Sequence, residues 1–404
     1  MAEWLYEAGI GEERAILVER GTILAARVEW GDPLRAGLVV DARLIAKPGG
    51  ARRGLARLDD GSEVLVDALP REANEGDTLR LRIVRAALAE RGRTKRAQAR
   101  HDPVAVCAPA PSLLDELQHG SLPVRPVRIA GPEFTDHGWD ELIEQALTGE
   151  IGFAGGSLAL SPSPAMTLID VDGFGPPAAL ALAAVDAIAA AMRRFDLGGS
   201  VGIDFPTLAE KRDRQAVDAA LGSALADWRG ERTAMNGFGF VQLVSRLERP
   251  SLLARYARRN HAQARILLRQ AERVSEPGAL LLTASPAVRR AVRSEWEAEL
   301  VRRTGRRIEW REDAALAPEG AFAQAVPSGA TRAASARCAA SRAPSNTPRS
   351  ARLAAATAIW SAGSTMVTPF RAHPPTPTTT RPVRVGLMKT RTPKGGGQPS
   401  AASP

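Results

Sequence analysis

Alternating apolar and polar positions in the first ninety residues predict short β-strands. Apolar-rich segments at residues 14–19 and 22–29 flank Arg20-Gly21 and predict a β-hairpin. Residues 36–87 continue as short apolar runs separated by turns that contain Gly, Pro and Asp. Because several short strands at this spacing are typical of a small barrel, we expect a β-barrel of the OB type near the start of the chain.

A strand, a helix and a second strand are predicted over residues 165–205. Short apolar runs lead into Asp170 and Asp172 and, further on, into Asp204. An Ala- and Leu-rich helix at residues 177–195 lies between them, with proline in its first turn and a glycine pair after its end. A unit of this length favours two neighbouring parallel strands, which end at the same edge of a sheet. Asp170 and Asp204 are therefore expected to lie close together.

The three aspartates have two interpretations. Carboxylates that converge at one edge repel one another unless a hard cation lies between them, which predicts Mg²⁺ or Mn²⁺ at Asp170 and Asp204, with Asp172 on the same side. Aspartate after a strand is also a common turn or N-cap residue, and Asp204 can cap the next helix. The pattern alone leaves both interpretations open.

An arginine-rich segment follows a predicted helix at residues 208–228 and a predicted strand at residues 239–243. A single helix over residues 251–274 would place six arginines within an arc of about 120°: Arg255, Arg258, Arg259, Arg265, Arg269 and Arg273. Such an arc is either an ordinary solvated face or a stripe that contacts phosphates beside the carboxylates.

The pattern predicts a mixed α/β or α+β chain in five segments. Residues 280–313 predict a closing strand–helix–strand unit, and the periodicity ends after about residue 320. The predicted segments are an N-terminal hairpin and barrel (1–95), a linker with short helices (96–154), an α/β core (155–275), a small C-terminal α/β unit (276–320) and a disordered basic tail (321–404).

The net charge of +9 does not identify a basic folded domain. Residues 327–404 hold 11 of the 54 Lys and Arg residues and none of the 45 Asp and Glu residues, which leaves residues 1–326 with a net charge of −2. The two cysteines, Cys107 and Cys338, give neither a disulfide framework nor a zinc spacing, so we expect a cytoplasmic protein. We expect no membrane association, because there is no signal-peptide profile and the most apolar helix is too short to span a bilayer.

Four blocks of sequence resemble the ribonuclease E/G family. They are EAGIGEERAILVERGTILAARVE at residues 7–29, GGSLALSPSPAMTLIDVDG at 155–173, DLGGSVGIDF at 196–205 and FGFVQLVSRLERPSL at 238–252. The segment at 280–313 resembles the closing unit of the shorter, G-type members. The resemblance implies an S1-type barrel inserted after the first hairpin and a catalytic core built on the two aspartate strands.

Individual residues follow and depart from the family pattern. The resemblance implies that Asp170 and Asp204 bind the metal, and Asp172 stands where the family has a supporting asparagine. Arg128 matches an arginine that senses an RNA 5′-monophosphate, but Ile129 replaces its threonine partner. With no cysteine between residues 107 and 338, we expect no structural zinc and no zinc-linked dimer. No aromatic residue lies between Gly31 and Arg100, so the family's stacking phenylalanines have no counterpart in the barrel.

The sequence thus predicts a shortened, divergent member of this family, a Mg²⁺-dependent endoribonuclease that cleaves single-stranded RNA. The expected catalytic residues are Asp170, Asp172 and Asp204, and the expected RNA-binding residues are Arg128, Lys211, Arg212, Arg246, Arg249, Arg255 and Arg258. One alternative is a degenerate member of the same family that binds RNA without cutting it. Another is a metal-dependent phosphohydrolase of a small substrate, which ranks last because the chain lacks a Gly-rich phosphate loop.

Overall fold

The N-terminal hairpin predicted from the sequence is confirmed. The structure, a computed structural model, describes residues 1–90 and 93–327. Its first three strands, β1 (Glu3–Gly9), β2 (Glu12–Glu19) and β3 (Thr22–Glu29), pair antiparallel in chain order. Arg20 and Gly21 both have positive φ angles, 51° and 82°. Two central residues in this conformation form the kind of tight turn whose twist matches that of the strands it joins.

A closed five-stranded barrel follows β3. The chain forms β4 (Val39–Ala46), β5 (Arg53–Arg57), β6 (Glu63–Asp67), β7 (Thr78–Arg85), the short hairpin strands β8 (Leu88–Glu90) and β9 (Arg93–Lys95), and then β10 (Ala97–His101). The barrel order is β10-β6-β5-β4-β7. Leu44, Val64, Val66 and Leu81 fill its interior and are wholly buried.

Strand β10 corrects the predicted boundary of the first domain. Residues 97–101 were expected to belong to a linker, but β10 pairs with β6 on one side and β7 on the other and so closes the barrel. Its inward side chains are Ala97 and Ala99, both buried, and they alternate with Gln98 and Arg100. Alanine is depleted in strands, which is why an alternating pattern built on it was not recognised as a strand.

After the barrel the chain returns to the N-terminal sheet. It forms α1 (Leu113–Gln118), β11 (Val124–Pro126), α2 (Glu133–Asp136) and α3 (Trp139–Thr148). A capping box at Ser112 begins α1, since the Ser112 side chain accepts from the Asp115 N–H and the Asp115 carboxylate accepts from the Ser112 N–H. Strand β11 pairs parallel with β1, so the barrel is inserted between two strands of one sheet, ordered β11-β1-β2-β3.

The predicted strand–helix–strand unit forms the centre of a six-stranded sheet. Its elements are β12 (Glu150–Phe153), β13 (Gly156–Pro162), β14 (Thr167–Gly173), α4 (Pro177–Arg194), β15 (Ser200–Asp204), α5 (Lys211–Ala224), β16 (Gly230–Arg232) and β17 (Phe240–Ser245). The order is β12-β13-β14-β15-β17-β16, with β14 and β15 as parallel neighbours. Helix α4 packs against β12, β13 and β14 on one side and β3 on the other. One face of the sheet is therefore covered by α4.

The remaining described residues form helices and a three-stranded sheet. They are α6 (Leu252–Tyr256), α7 (Arg259–Arg273), β18 (Ala279–Ala284), α8 (Pro286–Ala291), α9 (Ser294–Thr304), β19 (Ile308–Glu312) and β20 (Phe322–Val326), with the sheet order β19-β18-β20. Within residues 1–90 and 93–327, every helix is too short or too polar to cross a membrane.

Three predictions in this region are wrong in detail. The helix expected over residues 251–274 is two helices, because Arg258 leaves helical geometry at φ −82° and ψ 62°. The single helix expected within the closing unit at residues 280–313 also divides, since Val292 and Arg293 are extended. Strand β20 lies inside the segment expected to be a tail from residue 321, and residues 328–404 of that segment lie outside the described residues.

Candidate active site

The pairing of β14 with β15 sets Asp170 directly beside Asp204. The register joins Thr167 to Val201, Ile169 to Ile203 and Asp170 to Asp204. Neighbouring strands lie about 4.8 Å apart, so the two aspartates start from adjacent points on one sheet. Ile169 and Ile203 are buried against the α4 side, whereas Asp170 and Asp204 are exposed. Because side chains alternate between faces along a strand, both carboxylates lie on the open face.

The two carboxylates have no protein partner in the part of the chain that the structure describes. Neither Asp170 nor Asp204 forms a hydrogen bond or an ion pair through its side chain there. Like charges on adjacent strands are unfavourable without a counter-charge, so this pair favours a cation between or beside its oxygens. The alternative that Asp204 caps the next helix is not seen, because α5 begins at Lys211 after Glu210 and has no side-chain cap.

Asp172 occupies the outer end of the same face. It lies two residues beyond Asp170 within β14, about 7 Å further along the strand. Its Oδ1 accepts a hydrogen bond of 2.8 Å from the Gly173 N–H. This bond orients the side chain and leaves the second carboxylate oxygen open at the rim of the candidate site.

One acidic residue of this face was missed in the sequence. Glu150 of β12 pairs with Ala159 of β13, which pairs with Asp170, so Glu150 lies in the same row across the sheet and is exposed. Two strand spacings separate it from Asp170, about 10 Å. No local signal marks Glu150, because its position depends on the order of the strands.

The donor set at this edge suits a small hard cation. Among the described residues there is no group of three or more His, Cys, Asp or Glu side chains arranged to hold a metal. Mg²⁺ is commonly bound by one or two carboxylates, with waters and substrate phosphates completing its shell. Asp170 and Asp204 provide those two carboxylates, so the residues present fit Mg²⁺ or Mn²⁺.

Two helices begin at the same edge of the sheet. Helix α4 starts at Pro177 just beyond β14, and α5 starts at Lys211 after the loop that follows Asp204. Neither first turn has a side-chain cap. The free N–H groups and the positive end of a helix dipole attract anions, phosphates in particular. The edge therefore has carboxylates for a cation and helix starts for an anion.

Lys211 and Arg212, two of the expected RNA-binding residues, lie at this edge at the start of α5. Both are exposed, and within the described residues Lys211 has no ion pair. Arg212 is 84% exposed and contacts Asp213 at 3.5 Å. Both lie in the first turn of α5, after the loop that follows Asp204.

Two exposed phenylalanines border the carboxylates and were also missed. Phe174 is 94% exposed in the turn after β14, and Phe238 is 81% exposed in the turn before β17. The register pairs Asp204 with Phe240, which places the second turn at the same edge. The available signal was the repeated tripeptide Gly-Phe-Gly, at 173–175 and 237–239.

Arg255 does not face RNA as the sequence predicted. Its side chain is 3% exposed, and its Nη2 lies 2.8 Å from Glu29 Oε2 while its Nη1 lies 3.1 Å from Asp32 Oδ2. Burial raises the pKa of Glu29, and the positive charge of Arg255 opposes that effect. The guanidinium of Arg255 therefore forms ion pairs with carboxylates of the N-terminal region.

Arg249 is committed in the same way. Its Nη1 lies 2.7 Å from Glu116 Oε2 and its Nε lies 3.4 Å from Asp196 Oδ2, with 16% of the side chain exposed. Burial favours the neutral form of the guanidinium, but the three surrounding carboxylates outweigh it and raise the pKa of Arg249. Arg249 thus joins α1 to the end of α4, and it is not assigned to RNA.

The arginine stripe divides into buried and exposed members, because Arg255, Arg265 and Arg269 are buried whereas Arg258, Arg259 and Arg273 are exposed. Arg265 and Arg269 are buried, and burial lowers the pKa of each guanidinium. Arg265 stacks on the rings of Trp30 and Trp296, with centroid distances of 4.1 and 4.5 Å. It also donates a 2.9 Å hydrogen bond to the Gly11 carbonyl, and Arg269 pairs with Glu12.

The other predicted RNA-binding arginines lie away from the carboxylates. Arg246 follows β17 at the opposite edge of the sheet, in a cleft of about 980 Å³. Arg258 lines a second cleft, of about 900 Å³, which also contains Arg53 and Gln98 of the barrel. Arg128 is exposed and follows β11, on the N-terminal sheet.

No protein-family model and no curated protein matches the chain. The resemblance to the ribonuclease E/G family rests on the blocks quoted above, and the site rests on the geometry of its own residues.

Proposed function

We propose that the protein is a Mg²⁺-dependent endoribonuclease that cleaves single-stranded RNA in the cytoplasm, as a divergent relative of the ribonuclease E/G family. The observation that carries the proposal is the register of Asp170 against Asp204, which sets two exposed carboxylates side by side. The absence of a protein counter-charge for either carboxylate within the described residues supports a cation at this point.

In the proposed reaction, the groups at this edge act together on one phosphodiester of the RNA. A bound Mg²⁺ or Mn²⁺ supplies an activated water and neutralises charge on the phosphate. Asp170 and Asp204 would hold the cation, and Asp172 would support the rim, oriented by the hydrogen bond that it accepts from the Gly173 N–H. The starts of α4 and α5, with Lys211 and Arg212, attract and orient the phosphate oxygens. In-line attack by water with departure of the 3′-oxygen leaves a 5′-phosphate on the product, the outcome that the family resemblance implies.

The barrel is proposed to be an OB or S1 module that contacts the RNA backbone. Its closed five-stranded architecture is compatible with that class. The cleft between the barrel and the amino ends of β14 and β15 is lined by Arg53, Gln98 and Arg258, beside Thr167 and Ser200. Thr167 and Asp170 lie on the same strand about 10 Å apart, so a strand of RNA that occupies this cleft reaches the carboxylates within a few nucleotides.

The test is cleavage of 5′-labelled single-stranded RNA by the full chain. Wild-type protein with Mg²⁺ is compared with D170N and D204N, which keep the shape of the site and remove one negative charge. Each substitution is expected to lower the cleavage rate at least about 100-fold. D186N is the matched control, because Asp186 is exposed and lies in the middle of α4, away from the helix start at Pro177. Equal cleavage by all four proteins would exclude this site.

A second candidate is an RNA-binding protein without nuclease activity. It is favoured by the absence of a third metal-ligating side chain beside the pair in the part of the chain that the structure describes. The distinguishing experiment measures RNA binding with and without EDTA and then looks for products after long incubation. RNA binding that is unchanged by EDTA, with no cleavage product at any Mg²⁺ or Mn²⁺ concentration, would favour the second candidate.

A further inference from the structure

Two Gly-Phe-Gly turns lie at the carboxylate edge of the sheet, one on each side of the strand that carries Asp204. The first, residues 173–175, ends β14, and the second, residues 237–239, precedes β17. The sheet order β14-β15-β17 puts β15, which carries Asp204, between them. We propose that Phe174 and Phe238 each stack on a nucleobase, so that single-stranded RNA is held by its bases on both sides of the phosphodiester to be cleaved. The proposal rests on the proposed function.

The backbone of each turn is anchored while its ring is free. Asn236 Oδ1 accepts hydrogen bonds from the N–H groups of Phe238 and Phe240, at 2.9 and 3.0 Å. Gly239 has a φ of +88°, and a Cβ there would lie 2.8 Å from the Phe205 carbonyl oxygen, so this turn requires glycine. The N–H of Phe174 donates to the Gly155 carbonyl at 3.1 Å. Both rings are therefore presented from fixed points.

Neither ring contributes to a hydrophobic core. At 94% and 81% exposure, Phe174 and Phe238 leave nearly all of their apolar surface in water. Phe240, two residues after Phe238, shows the contrast, because its ring lies over Gly202 and covers the sheet beside the site. Exposed rings near helix starts and cationic side chains are an arrangement that proteins use to stack the bases of single strands.

The stacking role also accounts for the barrel composition. The barrel has no aromatic residue, so it offers no platform for bases. Two platforms at the sheet edge supply that contact next to the reacting phosphate. Bases in a duplex are already stacked and are not free to lie on the rings, so this arrangement selects single strands.

The experiment measures KM and kcat for cleavage by the full chain. Two RNAs of equal length are used, one unmodified and one with abasic residues flanking the cleavage point. F174A and F238A are expected to raise KM for unmodified RNA roughly 5- to 100-fold each, from the usual cost of losing one base–aromatic stack. Tryptophan at either position is expected to restore KM. On abasic RNA the alanine variants and wild type should have equal KM. L182A is the control, since Leu182 is an exposed apolar residue of α4.

The outcomes separate this inference from the proposed function. Cleavage by wild type with an unchanged KM in both alanine variants would overturn the stacking role and leave the nuclease intact. If wild type does not cleave, fluorescence of F238W is titrated with RNA. Quenching that is lost on abasic RNA supports stacking and rejects the nuclease, and no quenching rejects both. A change confined to self-association in ultracentrifugation would assign the rings to a second copy of the chain and overturn the proposal.

Discussion

Replacing Arg255 by methionine tests whether the arginines of α6 and α7 are structural. The guanidinium is 3% exposed and lies 2.8 Å from Glu29 and 3.1 Å from Asp32. Methionine keeps much of the side-chain volume and removes the charge. Glu29 would then be buried without its nearest ion-pair partner, since Arg249 Nη1 lies further away, 3.7 Å from Oε1.

The expected cost is large because only one half of the pair is removed. Breaking a buried ion pair from one side costs about 3–5 kcal/mol, whereas a surface pair contributes about 0–1 kcal/mol. R255M should therefore lower the thermal midpoint by roughly 5–15 °C. The matched control is R259M, because Arg259 is 59% exposed and its partner Glu319 is 36% exposed. That control should lose less than about 1 kcal/mol.

The assay is urea and thermal unfolding followed by circular dichroism, with RNA binding measured on the same proteins. The double variant E29Q/R255M removes both charges and should recover much of the stability lost in R255M, since no uncompensated charge is left buried. An R255M protein as stable as wild type but weaker in RNA binding would refute the structural reasoning and return Arg255 to the RNA-binding surface.

Three further outcomes are expected. G239A should destabilise the protein by about 1–3 kcal/mol in urea unfolding and weaken RNA binding, because alanine is strained at φ +88°. D172N should keep cleavage within about tenfold of wild type in the labelled-RNA assay, because asparagine Oδ1 can accept the same backbone N–H, and a loss beyond 100-fold would make Asp172 a metal ligand. Hydrogen bonds from Arg302 and Arg303 hold the pKa of Glu299 at about 2, so its stabilising contribution is present above the ordinary value of 4.5 and is lost as the pH falls towards 2. A carboxyl NMR titration of Glu299 with a midpoint near 4.5 would contradict this.

Elements with strong local signals were predictable from the sequence. The hairpin at Arg20-Gly21 and helix α4 follow from turn chemistry, helix-start residues and apolar spacing. The parallel pairing of β14 with β15 was predictable from the helical connection between them. It predicted that Asp170 and Asp204 lie close together, and the register confirms this.

The partners of the arginines were not predictable. Helical spacing shows which side chains share a face, but it does not show what covers that face. Arg255 pairs with Glu29, which is 226 residues away along the chain, and Arg269 pairs with Glu12 from the same N-terminal hairpin. A polar stripe and a buried ionic layer have the same linear pattern, and only the tertiary fold distinguishes them.

Whether a polar side chain has a partner within the protein is a better guide to the site than its residue type. Acidic residues are common in this chain, and three of them, Glu29, Glu116 and Asp196, form ion pairs with Arg249. Asp170 and Asp204 are also neighbouring carboxylates, but within the described residues no cationic side chain of the protein forms an ion pair with them. Two uncapped helix starts and two exposed phenylalanine rings lie at the same edge. Carboxylates, helix starts and aromatic rings that have no partner in the described residues bind a cation, phosphates and bases, respectively. A ligand that combines all three is complementary to this edge. Single-stranded RNA with a bound divalent cation has this composition, whereas a small phosphorylated metabolite has no second base for the second ring.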